Sequence, residues 1–269
     1  MKKILTLILS ILTVFLFVFP KTNDITMSGS TTVFPIAQKA SEVFMDKNPS
    51  INITVRGGGS GVGISNLIEG KVDIANSSRK IKEKEIYQAK ENGVNVFETV
   101  IANDALSIVV HPSNPVSDIS LKTLKDIYTG KIKNWKEIGG KDMSIVVVSR
   151  DVSSGTFEVF NEKILEGAKY REDALLLASN NAVLSTVKDT PGAIGYIGLG
   201  FVNESVKALK VEGVYPSKES VNNKTYKIAR SLYLYTNGKP KGNIGKFIDF
   251  ILSDEGQKIV EETGYIPLR

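Results

Sequence analysis

Residues 143–160 read MSIVVVSRDVSSGTFEVF and contain three local patterns in succession. The β-branched run at the start is typical of a strand that is buried on both faces. Arg150 and a cluster of serine, glycine and threonine come next, so hydrogen-bond donors and one fixed positive charge collect there with hardly an acceptor. Phe157, Phe160 and Ile164 then follow the spacing of one helix face. The stretch predicts a strand, a donor-rich loop and a helix.

The same unit recurs along the chain. Short β-like segments alternate with segments of helical spacing, which predicts an α/β fold with mainly parallel sheets. Ligands of open α/β sheets bind beyond the carboxyl ends of the strands. Four loops in that position are rich in glycine, serine or threonine, namely SGSTTVFP (28–35), RGGGSGVG (56–63), ANSSRK (75–80) and SRDVSSGTF (149–157).

Each of these loops is a donor-rich helix N-terminus. Backbone N–H groups without a helical partner and the positive end of the helix dipole attract an anion there without any lysine. A single such loop is explained by N-capping alone, because serine and threonine are common caps. Four of them, one with an arginine, favour a shared oxyanion. Residues 57–63 fit no G-x-G-x-x-G register and the chain has no G-K-[ST], so a nucleotide ligand is disfavoured.

Composition excludes several classes of function. The chain has 269 residues, of which 42% are hydrophobic and 23% charged, as in an ordinary globular protein. The net charge is +5, and removing Lys2 and Lys3 leaves 32 basic and 29 acidic side chains, which does not suggest a nucleic-acid binder. There is no cysteine, so disulfides and thiolate metal sites are excluded. The single histidine, His111, lies in a loop beside a proline, and we expect no metal site.

The N-terminus predicts export. Lys2 and Lys3 precede sixteen uncharged, mainly apolar residues from Ile4 to Phe19, the layout of a secretory signal. No A-x-A-like cleavage site follows, so residues 1–23 are interpreted as a signal peptide or an uncleaved N-terminal anchor. Either alternative places the rest of the protein in the periplasm or on the outer face of the cytoplasmic membrane.

From about Ile25 to Arg269 the sequence resembles the phosphate-binding, PstS-like substrate-binding proteins of bacterial high-affinity phosphate ABC importers. The matching stretches, in order, are SGSTTVFPIAQ, GGGSGVGI, VDIANSSR, LKDIYTGKIKNWKEIGG, SRDVSSGTFEVF, TPGAIGYIGLG and FIDFILSDEGQKIVEETGYIPL. The resemblance implies a two-lobed periplasmic-binding-protein clamp of type II, joined by two crossing hinge strands near ANDALS and IARSLY. On that pattern the first lobe comprises residues 24–104 and 230–269, and the second comprises residues 105–229.

The resemblance also implies which residues bind phosphate. The arginine suits this task because its planar donors meet two oxygens and its charge is permanent, while neutral donors supply the other contacts. The implied phosphate ligands are Ser30, Thr31, Thr32, Ser60, Ser78, Arg150, Ser154, Gly155 and Thr156. Neither a cofactor nor a metal is implied.

Two positions depart from well-known members of the family. Those members carry aspartates where this chain has Val152 and Ser78. A carboxylate acceptor separates protonated phosphate from sulfate, because sulfate leaves it unpaired. We therefore name Asp104 and Asp151 as candidate selectivity acceptors, although pairing of Asp151 with Arg150 is an equal alternative.

Two further residues are weaker candidates for anion contact. Arg79 follows Ser78 and either contacts the anion or is an exposed arginine at a helix start. Asn181 precedes a helix, where asparagine is usually a cap.

The expected function is capture of inorganic phosphate outside the membrane and its delivery to the transmembrane subunits of an ABC permease, by a protein that is monomeric and not an enzyme. A close alternative is a binding protein for sulfate or another tetrahedral oxyanion. A serine-dependent phosphatase or hydrolase using Ser153 or Ser154 is a further alternative, but it lacks a base, since His111 is far along the chain. A sensor or adhesin that retains the clamp is the last.

Overall fold

The protein was analysed as a computed structural model, which describes residues 24–269; the predicted leader, residues 1–23, lies outside them. The α/β alternation predicted from the sequence is confirmed. The strands are β1 (Asp24–Gly29), β2 (Asn52–Arg56), β3 (Ile74–Ser77), β4 (Val96–Val110), β5 (Asp118–Ile119), β6 (Val146–Arg150), β7 (Leu175–Leu177), β8 (Ala193–Gly198), β9 (Lys207–Ala208), β10 (Lys210–Val211) and β11 (Ala229–Asn237).

The helices follow the predicted apolar spacing in most places. They are α1 (Phe34–Lys47), α2 (Ser60–Ile68), α3 (Glu83–Glu91), α4 (Leu121–Tyr128), α5 (Gly155–Phe160), α6 (Asn180–Asp189), α7 (Lys218–Asn222), α8 (Gly242–Leu252) and α9 (Asp254–Glu262). The segment predicted to be one helix after Arg150 is interrupted: α5 ends at Phe160, and a π-helix continues it over Asn161–Leu165. Glu166 then adopts a left-handed conformation, which ends the helical segment.

Two long antiparallel strands connect the two halves of the sheet. The strand order is β2-β1-β3-β11-β4-β8-β6-β7, with β9 also pairing with β4. Strand β4 pairs with β11 along its first part and with β8 along its last part. The β1–β2, β1–β3, β6–β7 and β6–β8 pairs are parallel, as predicted. The donor-rich loops follow the carboxyl ends of β1, β2, β3 and β6.

The apolar side chains form separate cores on the two sides of this connection. Around β1, β2, β3 and the first part of β4, the cores include Ile25, Ile74 and Ala75, and we call this half the first lobe. Around β6, β8 and the end of β4, the cores include Tyr128 and Tyr196, and we call this half the second lobe. The fold is therefore the two-lobed α/β clamp that the resemblance implied. In residues 24–269, no helix is long and apolar enough to cross a membrane.

Candidate functional site

Arg150 lies at the carboxyl end of β6 and is almost fully buried, with 1% of its surface exposed. Its Nε donates to the carbonyl oxygen of Leu177 (3.0 Å), and its Nη2 donates to the carbonyl oxygen of Ala178 (2.9 Å) and to Thr31 Oγ1 of the other lobe (3.2 Å). The remaining nitrogen, Nη1, is buried and has no hydrogen-bond partner among residues 24–269. The carboxylate of Asp151 lies 3.9 Å from Nη2. A buried cation with an unused donor suits a ligand oxyanion.

The environment of Arg150 lowers its pKa without removing its charge at neutral pH. Burial, with a smaller contribution from the nearby Arg230, lowers the pKa of Arg150 to about 10, although Asp151 and Tyr196 oppose the shift. A bound anion at this point would offset the cost of burying the charged guanidinium and raise the pKa of Arg150 again, because opposite charges in a low-dielectric site stabilise each other.

The loop after Arg150 is held by its own hydrogen bonds. The side chain of Ser154 is the N-cap of α5 and accepts from the backbone N–H groups of Thr156 (3.1 Å) and Phe157 (3.3 Å). Gly155 faces the first lobe so closely that an added Cβ would lie 2.4 Å from Ser60 Oγ. Only glycine therefore allows the α5 N-terminus to approach the other lobe to this distance.

The loops of the first lobe contribute hydroxyl groups. The backbone N–H of Ser78 donates to Ser60 Oγ (3.0 Å), which ties the β3 loop to the start of α2. Ser30 Oγ accepts from the backbone N–H of Thr32 (3.1 Å) at the start of α1. Thr32 Oγ1 in turn lies 3.1 Å from Thr156 Oγ1 of the second lobe. The predicted hydroxyl ligands of both lobes therefore meet across the cleft.

A second buried arginine lies beside these threonines. Arg230 Nε donates to Asp104 Oδ2 (2.9 Å), and its Nη2 lies 2.8 Å from the same oxygen. Nη1 donates to Thr156 Oγ1 (3.0 Å), and Nη2 is 3.4 Å from Thr32 Oγ1. Asp104 is completely buried, and its Oδ1 accepts from the backbone N–H of Leu199 (2.8 Å). Burial raises the pKa of Asp104 despite the attraction of Arg230.

The hydrogen bonds around the threonines fix which groups can donate to a ligand. Thr31 Oγ1 accepts from Arg150 Nη2 and from Asn180 Nδ2, both at 3.2 Å. Thr32 Oγ1 accepts from Asn180 Nδ2 at 3.0 Å. Guanidinium and amide N–H groups are donors only, so Thr31 Oγ1 acts as an acceptor towards them and keeps its O–H hydrogen for another partner. In the Thr32–Thr156 pair one hydroxyl donates to the other, which leaves one O–H hydrogen of that pair. Such hydroxyl groups can donate to an oxyanion in the cleft.

The structure places the remaining predicted residues at different distances from this cluster. Asp151 Oδ1 accepts from the backbone N–H of Ser153 (2.9 Å) and is one third exposed. Val152, which replaces an aspartate of the family pattern, is 70% exposed. Asn181 is exposed on α6, and the buried asparagine that contacts Thr31 and Thr32 is its neighbour Asn180.

The sequence left two interpretations of Arg79, anion contact or an exposed arginine at a helix start, and the second is wrong. Arg79 is buried and lies in the loop between β3 and α3, where it pairs with Glu85 (2.7 Å) and with Glu158 of the second lobe (2.9 Å). Its guanidinium is thus committed to carboxylates of the protein.

Arg230 and Asn180 were missed by the sequence reasoning. Asn180 is adjacent to the predicted Asn181, and a helix N-terminus shows its cap in sequence but not which side chain of the first turn points inwards. Arg230 lies within a β-like run, and its partner Asp104 is 126 positions away. The one available signal was the charged residue in each predicted crossing segment, ANDALS and IARSLY.

The alternative of a serine hydrolase finds no base near Ser154. Ser154 Oγ accepts two backbone N–H groups at the start of α5, and His111 Nδ1 lies 2.8 Å from Ser113 Oγ in a different loop. In the part of the chain that the structure describes, no group of three or more His, Asp or Glu side chains could hold a metal ion.

The geometry defines a class of protein, a two-lobed binding protein with an anion site between its lobes, and sequence comparison agrees. Residues 20–255 match the family model described as a PBP superfamily domain.

Comparison with individual relatives identifies the family within this superfamily. The chain is 40% identical over 248 residues to the phosphate-binding protein PstS of Bacillus subtilis (strain 168), covering 91% of this chain and 81% of the relative. It is 35% identical over 284 residues to PstS of Borreliella burgdorferi, covering both chains completely. A crystal structure from Clostridium perfringens, assigned as a phosphate ABC transporter substrate-binding protein with bound phosphate, is 40% identical with a TM-score of 0.85 and covers 91% of this chain and 100% of its own. The chain belongs to the PstS family of phosphate-binding proteins.

Proposed function

We propose that this protein captures inorganic phosphate between its two lobes and delivers it to the transmembrane subunits of an ABC permease. The observation that carries the proposal is Arg150, a buried cation whose Nη1 nitrogen has no partner among residues 24–269 and whose Nη2 contacts Thr31 of the other lobe. Membership of the PstS family supports phosphate as the ligand. The proposed role is binding and transfer, without chemical turnover.

In the proposed complex, donors from both lobes surround one phosphate. Arg150 supplies charge-assisted hydrogen bonds, which are worth roughly 1.5–3 kcal/mol each before costs are counted. The N-termini of α2 and α5 add backbone N–H groups and favourable helix dipoles. The proposed ligands are those named from the sequence, Ser30, Thr31, Thr32, Ser60, Ser78, Arg150, Ser154, Gly155 and Thr156, together with Asn180 and Arg230 as positioning groups.

The lobe boundaries stay as inferred from the sequence, with residues 24–104 and 230–269 in one lobe and 105–229 in the other. The backbone N–H of Leu106 donates to the carbonyl oxygen of Ile228 (3.0 Å), where β4 and β11 lie side by side between the two cores. This pairing supports a hinge at the two crossings, about which the lobes close over the anion.

Asp151 is the better of the two candidate selectivity acceptors. Asp104 already accepts from Arg230, Leu199 and the backbone N–H of Ala105, so its acceptor capacity is filled. Asp151 is partly exposed, and its Oδ2 oxygen lies 3.9 Å from Arg150 Nη2. We propose that Asp151 accepts the hydrogen of protonated phosphate, which sulfate lacks at neutral pH.

We further propose that the protein acts as a monomer. Its leader-like N-terminus supports a location in the periplasm or on the outer face of the cytoplasmic membrane.

Isothermal titration calorimetry of the protein, stripped of anion by partial unfolding and refolding, tests the function. Phosphate should bind with micromolar or lower Kd, about −8 kcal/mol or stronger, and sulfate much more weakly. Asp151→Asn should reduce the preference for phosphate over sulfate, with Asp142→Asn as an exposed control. Equal binding of both anions by the unmodified protein would favour a general oxyanion carrier, and binding of neither would refute the proposal.

A further inference from the structure

A group of charged side chains connects the lobes beside the anion site. Arg79 of the first lobe is held by Glu85 of the same lobe through two hydrogen bonds, Nη1 to Oε2 (2.8 Å) and Nη2 to Oε1 (2.7 Å). Its Nε lies 2.9 Å from Oε2 of Glu158, on α5 of the second lobe. Lys82 Nζ of the first lobe lies 2.5 Å from the same oxygen. One carboxylate of the second lobe thus meets two cations of the first.

The surroundings make these contacts stronger than ordinary surface ion pairs. The side chains of Arg79 and Glu158 are only 6% and 18% exposed, and bulk salt screens buried pairs weakly. Arg79 Nε has no aligned hydrogen bond within residues 24–269, so its contact with Glu158 is chiefly electrostatic. Because two hydrogen bonds to Glu85 already fix the guanidinium, the side chain of Arg79 loses little conformational freedom when Glu158 approaches.

Both ends of this ion pair are directly connected to anion-binding backbone. Arg79 follows Ser78 in the chain, and Glu158 lies one helical turn after Ser154, the N-cap of α5. Val159 and Phe160, the next residues of α5, are buried in the core of the second lobe, so Glu158 moves with that lobe. Closure over the anion and formation of the ion pair are therefore one movement.

We propose that Glu158, through Arg79 and Lys82, is a positioning residue that holds the lobes closed and so determines how long a bound anion is retained. This inference rests on the proposed function. It adds a residue that controls the release of the anion without contacting the anion itself. Its carboxylate is too engaged with the two cations to serve as a ligand acceptor.

The first test measures release of ³²P-phosphate from the loaded protein into an excess of unlabelled phosphate. Glu158→Gln keeps the shape of the side chain and removes its charge, and it should accelerate release about tenfold while changing the association rate less than about twofold. The side chain of Lys82 is 42% exposed, so salt can screen its contact with Glu158, although it screens the buried Arg79 contact weakly. Release from the unmodified protein should therefore accelerate modestly between about 0.05 and 0.5 M salt, and this dependence should be reduced in Glu158→Gln. Glu162→Gln, an exposed position one turn further along, is the matched control.

The second test needs no phosphate. The chain has no cysteine, so Glu91→Cys on the first lobe and Lys188→Cys on the second can carry a donor and acceptor dye pair. In anion-free protein, Glu158→Gln should lower the fraction of molecules with closed lobes, whereas Glu162→Gln should not. A merely structural role in the second lobe would change thermal stability without changing this fraction or the salt dependence of release.

The two tests separate the two proposals. Failure of the unmodified protein to bind phosphate would refute the proposed function, and the dye-pair measurement would still decide the role of Glu158. If phosphate binds but Glu158→Gln matches Glu162→Gln in release rate and in closed fraction, the interlobe ion pair has no role in retention and this inference is overturned.

Discussion

Two buried arginines contact neighbouring threonines, Arg150 contacting Thr31 and Arg230 contacting Thr32, and the protein balances their charges differently. Arg230 has a completely buried carboxylate, Asp104, at 2.8 Å. Among residues 24–269, the carboxylate paired with Arg150 is the partly exposed Asp151 at 3.9 Å, and the Nη1 nitrogen has no hydrogen-bond partner. Burial of a charge is costly unless it is paired. Arg230, whose charge is paired, thus contributes to the stability of the fold, whereas the charge of Arg150 is balanced best by a ligand.

The difference explains how a site can bind an anion tightly and still stay assembled without it. Arg230 bonds Thr156, and Asn180 bonds Thr31 and Thr32, so the hydroxyl groups are positioned by protein contacts alone. Arg150 then supplies attraction from a side chain that is already held by the carbonyl oxygens of Leu177 and Ala178. Preorganisation of this kind reduces the entropic cost of association.

The largest effect that we predict is that of Arg150→Ala on binding. Removing the unpaired cation should weaken phosphate binding about a thousandfold, roughly 4 kcal/mol. The free energy of unfolding of the anion-free protein should change by less than about 1 kcal/mol, because relief of the unpaired buried charge offsets the loss of the hydrogen bonds to Leu177 and Ala178. Titration calorimetry and urea denaturation measure the two quantities. Arg171→Ala, which removes an arginine paired with Asp173 in the same lobe, is the control for binding. A loss of stability with retained affinity would reverse the roles of the two arginines.

Asp104→Ala should do the opposite and act mainly on stability. The variant leaves Arg230 buried without its carboxylate, which typically costs about 3 kcal/mol or more. Urea denaturation of the anion-free protein should show this loss, whereas Asp151→Ala should change the free energy of unfolding by less than about 1 kcal/mol, as expected for a partly exposed pair. Equal destabilisation by the two variants would show that pairing does not distinguish the two arginines.

Gly155→Ala sharpens the comparison because it affects closure around Arg150 and leaves the Arg230 pair intact. The added Cβ would lie 2.4 Å from Ser60 Oγ, so the lobes could not approach as closely. We expect phosphate affinity to fall about tenfold or more with little change in stability. Gly57→Ala, whose Cβ would meet Thr31 Cγ2 at an ordinary 3.4 Å, should bind nearly normally. Equal affinity of the two variants would show that close approach of α5 is not required.

The smallest predicted effect is that of pH. Burial lowers the pKa of Arg150 to about 10, and the loss of its proton would remove the attraction for the anion, so affinity should fall only as the pH approaches that value. Phosphate binding should therefore change less than about twofold between pH 7.5 and 9 in calorimetric titrations. A tenfold decrease within this interval would mean that Arg150 is not a permanent cation.

The sequence pointed to Arg150 and to Asp104, but it missed Arg230 and its pairing with Asp104. Strand, loop and helix around Arg150 are local patterns, and the α/β alternation and the four donor-rich loops follow the same short-range rules. Arg230 and Asp104 face each other only because β11 pairs with β4, a contact between residues 126 positions apart. Composition and periodicity carry no information on such a pairing.

The one-residue difference between Asn181 and Asn180 has a similar cause. Local sequence located the start of α6, but which asparagine of its first turn faces the cleft depends on the packing of the helix against β6 and β8, and the structure buries Asn180. Apolar spacing also predicted neither the change from α-helix to π-helix after Phe160 nor the uncommon left-handed conformation of Glu166, which ends the segment.

The most direct test of the account is a crystal structure of the protein with phosphate bound. The account predicts one phosphate between the lobes, with an oxygen within hydrogen-bonding distance of Arg150 Nη1 and with the Arg230–Asp104 pair unchanged. A phosphate held by Arg230 in place of Asp104, or one bound away from Arg150, would contradict the claim that the unpaired arginine is reserved for the ligand.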